Sequence, residues 1–270
     1  MPRRAQKGLP LAVIHDELAT QAPLDLQALP LPTVAAVDLP FETEHLRRGI
    51  ASFIDQRFVI EGARTITLGA VRWGAYAFYD YDGEPIYVGQ TKERLGTRIR
   101  RHLTNQRTDA VAMHVLDPFE VHSIEVWPLP ELQTVNSKSP NYREAVTHLN
   151  ALEHAVFTKV VALSEFQLVL NEKDPGRPLV DVELPASIRG VIVSEEVSRL
   201  RDHPDLRLAR RASTLAKLSQ VIGERKVQRG LRRTLLAQAQ RLESLARKRY
   251  DNSSEVILEQ GDEVGGQDEG

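Results

Sequence analysis

The sequence contains no cysteine, which excludes disulfides, cysteine nucleophiles and thiolate metal sites and fits a reducing cytoplasm. It also lacks any run approaching the roughly 18 apolar residues of a membrane-spanning helix, so we expect no transmembrane segment. The opening "MPRRAQKGLPLAVIHDEL" sets basic residues before an apolar stretch, but that stretch is short, holds a proline and soon meets Asp16 and Glu17. It does not read as a secretory leader. No internal repeat is visible. Net charge is nearly absent as well, −2 over 270 residues, so the total argues neither for nor against a polyanionic partner. What remains, 41% apolar and 27% charged residues, suits a folded soluble chain with one full core and a smaller appendage.

The charge is unevenly placed. Between Arg199 and Arg249 there are 15 Lys or Arg against 4 Asp or Glu, a local +11, whereas Asp251 to Gly270 holds 7 acids and no base. The organisation read from this is an extended proline-rich arm over 1–40, a main domain over 41–193 with its motif core at 72–172, a basic helical region over 194–250 and an acidic disordered tail over 251–270. The arm rests on six prolines, at positions 2, 10, 23, 30, 32 and 40. The basic region suits a DNA grip or a dimer contact, although an arginine-rich helix is equally a solvated face.

Periodicity predicts an α+β fold with a small mixed or antiparallel sheet flanked by helices. "PFETEHLRRGIASFIDQRFV" puts Leu46, Ile50, Phe53, Ile54 and Phe58 on one helical stripe. A hairpin follows in "GAYAFYDYDGEPIYVG", then a helix in "ERLGTRIRRHLTN", a strand in "PFEVHSIEVWP", a long helix in "PNYREAVTHLNALEHAVFTKVVAL" and a short strand in "FQLVLN". "LVDVELP" and "IRGVIV" are further strand candidates. Asn141 and Glu144 have the spacing of a capping box for the long helix.

Four of the six tyrosines fall between residues 72 and 91. Asp82-Gly83 is a hairpin-turn dipeptide, because glycine accepts positive φ. An even-length loop centred there sets Tyr76 opposite Gly89 and Phe78 opposite Tyr87. Tyr76 and Tyr87 are then diagonal neighbours on one face, about 7 Å apart at the backbone; an odd loop separates them. Taken alone, the pattern is also what any half-buried aromatic strand shows.

In the following helix Leu95, Ile99 and Leu103 form the inward stripe, with His102 and Arg98 beside it and Arg100 facing out. Arg98 is thus the arginine placed to reach inward and to meet a phosphate with its planar fork, although basic residues here can also be solvated. Gln90 to Arg107 holds six Lys or Arg against one Glu, a balance that suits a phosphate backbone. In the long helix, Glu153 falls within the stripe of Val146, Leu149, Leu152, Val156, Phe157 and Val160. A carboxylate there needs an ion pair, a proton, a route to water or a bound cation.

"GAY" at 74–76, "YVG" at 87–89, "RIRRH" at 98–102, Glu153 and Asn171 together resemble the GIY-YIG nuclease superfamily, over about residues 74–171. Ala75 and Val88 stand where the family has isoleucines, and the interval from Glu153 to Asn171 is long for it. The arm and the basic region look like additions of its restriction-endonuclease or defence branch. The resemblance implies a divalent-metal-dependent endonuclease, a hydrolase of phosphodiester bonds in DNA. Tyr76 would be the general base, Tyr87 would hold the water or phosphate, Arg98 would stabilise the scissile phosphate and His102 would assist a tyrosine. Glu153 would carry Mg²⁺ or Mn²⁺, and Asn171 would brace the site. Lys92, Arg94, Arg100, Arg101 and Arg107 would contact nucleic acid. One such centre cuts one strand, so a homodimer is expected; no organic cofactor and no membrane partner is expected. The alternatives are a structure-specific repair or recombination nuclease and a non-catalytic DNA-binding module.

Overall fold

Along residues 75–78 small and aromatic residues alternate, and that alternation sets the layers of the molecule. The computed structural model describes residues 41–60, 64–104, 115–171, 173–224, 227 and 229–264. The expected arm over 1–40 and Arg107 lie outside the described residues. In chain order come α1 (Phe41–Ile54), β1 (Arg57–Ile60), β2 (Arg64–Thr67), β3 (Gly74–Tyr79), β4 (Pro85–Thr91), α2 (Leu95–Leu103), β5 (Ser123–Pro128), α3 (Tyr142–Leu163), β6 (Ile188–Val191), α4 (Glu195–Arg201), α5 (Pro204–Glu224) and α6 (Arg229–Val264). The class is α+β, as expected. None of the described helices is long and apolar enough to cross a membrane.

The main sheet is antiparallel in the order β4-β3-β5-β6, and β1 and β2 form a separate hairpin that the sequence reading did not anticipate. The sheet thus extends beyond the hairpin and its third strand to a fourth, β6, within the predicted "IRGVIV". Ala75, Ala77 and Val88 face α3 and pack with Leu149, Leu152, Val156 and Val160. Tyr76, Phe78 and Tyr87 occupy the opposite face with Leu95 and Ile99 of α2. The alanines let α3 approach closely, while Tyr76 and Phe78, both 0% exposed, bury a large aromatic area on the other side.

The turn between β3 and β4 is odd, contrary to the even loop expected. Gly83 N–H donates to the Asp80 carbonyl (3.1 Å) and Asp80 N–H to that of Glu84 (2.9 Å), closing a three-residue loop with Gly83 at φ 76°. By itself this turn would carry Tyr76 and Tyr87 to opposite faces. A register shift between Phe78 and Tyr79 corrects it: Tyr79 pairs with Pro85 but Phe78 pairs with Tyr87, leaving Ile86 as the extra residue of a bulge. Ile86 is itself buried beside Tyr87, so packing of that side chain rewards the kink. Tyr76 accordingly lies opposite Gly89.

Several expected elements differ. Asn141 precedes α3, but its side chain makes no capping bond, so the capping box is not formed. Val146 and Phe157 are only partly buried. Residues 166–171 and 179–185 contain no strand; beside β4 a backbone bond from Leu170 N–H to the Ile86 carbonyl (2.7 Å) is followed by side-chain bonds from Asn171. "PFEVHSIEVWP" opens with a 3₁₀ turn at Pro118–Glu120, so only Ser123–Pro128 is strand. The acidic segment from Asp251, expected to be disordered, continues α6 as far as Val264; residues 265–270 lie outside the described residues.

The basic helices belong to the same compact unit as the sheet, Leu39–Gly270. Leu218 and Val221 of α5 and Leu231 and Ala237 of α6 join the core on the Tyr76 face. Arg201, Arg207, Arg211 and Arg241 are all buried. Among the described basic residues of 199–249, ten are in ion pairs, which leaves Lys217, Arg229 and Arg232. Most of the +11 is therefore neutralised within the chain, and the segment builds the core as well as a surface.

Candidate active site

β4 is the last strand on one side of the sheet, and the predicted site residues gather around it from both faces. Arg98 and His102, one turn apart on α2, reach the Tyr76 phenol: Arg98 Nε donates to its oxygen at 3.1 Å, and His102 Nε2 lies 3.1 Å from the same atom. The Tyr76 and Tyr87 rings stack at 6.2 Å between centroids, and the His102 ring sits 5.2 Å from that of Tyr87. Tyr76, Tyr87, Arg98 and His102 thus form one cluster.

Hydrogen-bond capacity orders this cluster. A guanidinium only donates, so the Tyr76 oxygen accepts from Arg98. In the His102 contact the phenol donates where the ring carries its proton on Nδ1, and the ring donates where it carries it on Nε2. Burial, then the neighbouring Tyr87, pushes the Tyr76 phenol far above the usual tyrosine range, with Arg98 opposing. Burial works against the Arg98 charge, but Tyr76, Tyr87 and Glu93 outweigh it and raise its pKa.

Gly89 is what allows Tyr76 to lie where it does. A Cβ at position 89 would sit 2.6 Å from the Tyr76 oxygen, 2.7 Å from its Cζ and 3.0 Å from Tyr87 Cε1. Gly89→Ala is therefore expected to cost about 1–3 kcal/mol through overpacking. A urea melt checks this; an unchanged midpoint would show that the phenol has room to move.

Glu153 approaches from α3, and it is half-buried rather than enclosed in the apolar face. Burial raises its pKa, while a hydrogen bond from Gln90 and the Arg98 charge pull it down in part. Gln90 Nε2 also donates to Asn150 Oδ1 at 2.9 Å. Gln90 and Asn150 were missed by the sequence reading; the one available signal was that Asn150 and Glu153, three apart, share a helix face. Asn171 sits at the β4 edge, where its Oδ1 accepts from Val88 N–H (3.0 Å) and its Nδ2 donates to the Val88 carbonyl (2.7 Å). It holds the backbone next to Tyr87.

A scan against family models, a search of curated proteins and a search of solved structures each return no match. The reading therefore rests on this geometry. Among the described residues no three His, Asp or Glu side chains converge as a metal cage. The donor set fits a hard cation held by one carboxylate and otherwise by water and phosphate oxygens, as Mg²⁺ commonly is. Glu153, half-buried beside Gln90 and Arg98, is the carboxylate the sequence reading named for such a cation.

The cations expected to meet nucleic acid divide. Lys92, Arg94 and Arg100 are exposed around the start of α2 and along its outer face. Arg101 is also exposed, but both its Nη atoms are bonded to Glu93, at 2.7 and 2.8 Å. Lys92 additionally sits 5.9 Å from the centre of the Tyr142 ring.

Proposed function

We propose that this chain is a divalent-metal-dependent DNA endonuclease with a GIY-YIG-type active site, of a restriction or defence kind. The observation that carries this reading is the Tyr76 phenol held between Arg98 Nε and His102 Nε2, stacked on Tyr87 at the sheet edge where Glu153 arrives. A metabolic pocket of ordinary size is not needed for such chemistry; a surface that meets a long polyanion suits it, and Lys92, Arg94 and Arg100 supply exposed cations beside the cluster.

The high pKa of Tyr76 argues against a standing phenolate and for a relay. As water oxygen bonds to phosphorus and the bond to the leaving oxygen breaks, the water proton passes to the Tyr76 oxygen and the phenol proton passes to His102 Nε2. No tyrosinate needs to exist beforehand, so burial does not oppose the step. Arg98 stabilises the charge on the phosphate with the guanidinium nitrogens not engaged by Tyr76. Tyr87 orients water or phosphate, and Asn171 keeps β4 in register. A cation on Glu153 would polarise the phosphate and stabilise the leaving oxygen.

The experiment is plasmid nicking by the purified protein in Mg²⁺. Wild type is expected to nick or linearise the plasmid, and Glu153→Ala to lower the rate at least about 100-fold. Equal rates would sink the assignment of this site. Salt-sensitive DNA binding with no nicking at any Mg²⁺ or Mn²⁺ concentration would instead favour the non-catalytic module. Fixed fragment ends favour restriction, whereas preference for branched DNA favours repair. Because one centre cuts one strand, a homodimer is part of the proposal, and linear product at dimer-forming concentrations tests it.

A further inference from the structure

Glu153 can serve a cation only if its carboxylate is kept from the competing Arg98 charge, and a glutamate side chain is free to turn unless something holds it. Gln90 belongs to the edge strand β4 and lies opposite Ala75, a residue of the α3-facing layer. Asn150 and Glu153 project from the same face of α3. Gln90 Nε2 donates one hydrogen to Asn150 Oδ1 at 2.9 Å, and the Gln90 side chain is close enough to the Glu153 carboxyl to hold its pKa down against burial. A carboxylate only accepts, so Gln90 presents its nitrogen, and Asn150 oxygen on that same nitrogen opposes a flip of the amide. The Gln90–Asn150 bond is exposed, where an amide–amide bond contributes little net stability. Its place beside the one candidate metal ligand calls for another reason.

We infer that Asn150 and Gln90 are positioning residues: Asn150 locks the Gln90 amide, and Gln90 holds the Glu153 carboxylate in the orientation that takes up a divalent cation. This rests on the metal-dependent nuclease reading. Neither residue touches the reacting phosphate; both act through Glu153, as outer partners of metal ligands do.

The test uses the full chain and Mn²⁺ as probe. Mn²⁺ uptake by the protein alone is followed by electron paramagnetic resonance, and plasmid nicking is measured across a Mn²⁺ series. For both Gln90→Ala and Asn150→Ala, half-saturating Mn²⁺ is expected to rise about tenfold or more in both measurements, while the rate at saturating Mn²⁺ falls far less. A residue needed only for folding would not separate these quantities. If Gln90→Ala unfolds, Asn150→Ala carries the test, since alanine is well tolerated at an exposed helix position. An unchanged half-saturating concentration in the variants, with Glu153→Ala abolishing uptake, overturns this inference and leaves the nuclease reading intact. A wild type that neither takes up Mn²⁺ nor nicks DNA overturns both.

Discussion

Tyr76→Phe is expected to slow DNA cleavage by about 10²–10⁴-fold, the range for loss of a general acid–base group, while leaving the fold in place. The substitution removes one oxygen and keeps the ring that stacks on Tyr87 and packs 5.3 Å from Phe78. Its folding cost is the loss of the Tyr76 oxygen's contacts with Arg98 Nε and His102 Nε2, about 1–3 kcal/mol. What is lost is the atom through which a water proton would reach His102. Single-turnover nicking, with circular dichroism to verify folding, checks this. A rate within threefold of wild type would remove Tyr76 from the chemistry and reduce the cluster to aromatic packing.

The largest effect on stability is expected at Asp80. This carboxylate is 1% exposed, and its Oδ1 accepts from the Asp82 and Glu84 backbone N–H groups at 3.0 and 2.9 Å. Its Oδ2 meets Arg211 Nη2 at 2.9 Å and Arg241 Nη2 at 2.5 Å, with Arg207 Nη2 3.7 Å away. One side chain thus closes the hairpin turn and ties it to α5 and α6. Asp80→Asn keeps the shape but leaves buried guanidinium charge without its counter-charge, a change of about 3–5 kcal/mol. At roughly 2–4 °C per kcal/mol for a domain of this size, the melting temperature should fall by roughly 10 °C. Arg247→Ala, which breaks an exposed i,i+4 pair with Glu243, should shift it hardly at all. A small shift for Asp80→Asn would mean that Glu120, bonded to Arg211 at 3.0 Å, suffices to hold the helices.

The two arginine sets show how much was legible in advance. Arg98 was singled out from its place at the border of an apolar helix stripe, and it does reach Tyr76. Arg207, Arg211 and Arg241 looked like members of a basic surface, because composition reports charge and not partners. Their partners, Asp80 and Asp82, lie more than a hundred residues earlier, and no local pattern announces such pairs. The strand expected in "FQLVLN" fails for a related reason: Asn171 satisfies the Val88 backbone with its side chain, which leaves no ladder for a periodicity rule to detect. The acidic run from Asp251 shares its helix with the basic run before it, whereas composition split the two.

By itself the sequence determined the layers of this protein. Alternation in "AYAF" at 75–78 assigns one face to alanines and one to Tyr76 and Phe78, and the 3.6-residue period puts Arg98, His102 and Glu153 near those faces, because both depend only on local backbone geometry. Whether Tyr76 and Tyr87 share a face was beyond it. The Asp82-Gly83 turn forms the odd loop that should part them, and the bulge at Ile86 restores the register. That choice belongs to tertiary structure: a bulge sacrifices a ladder position, and burial of Ile86 beside Tyr87 in the core supplies the free energy that offsets it.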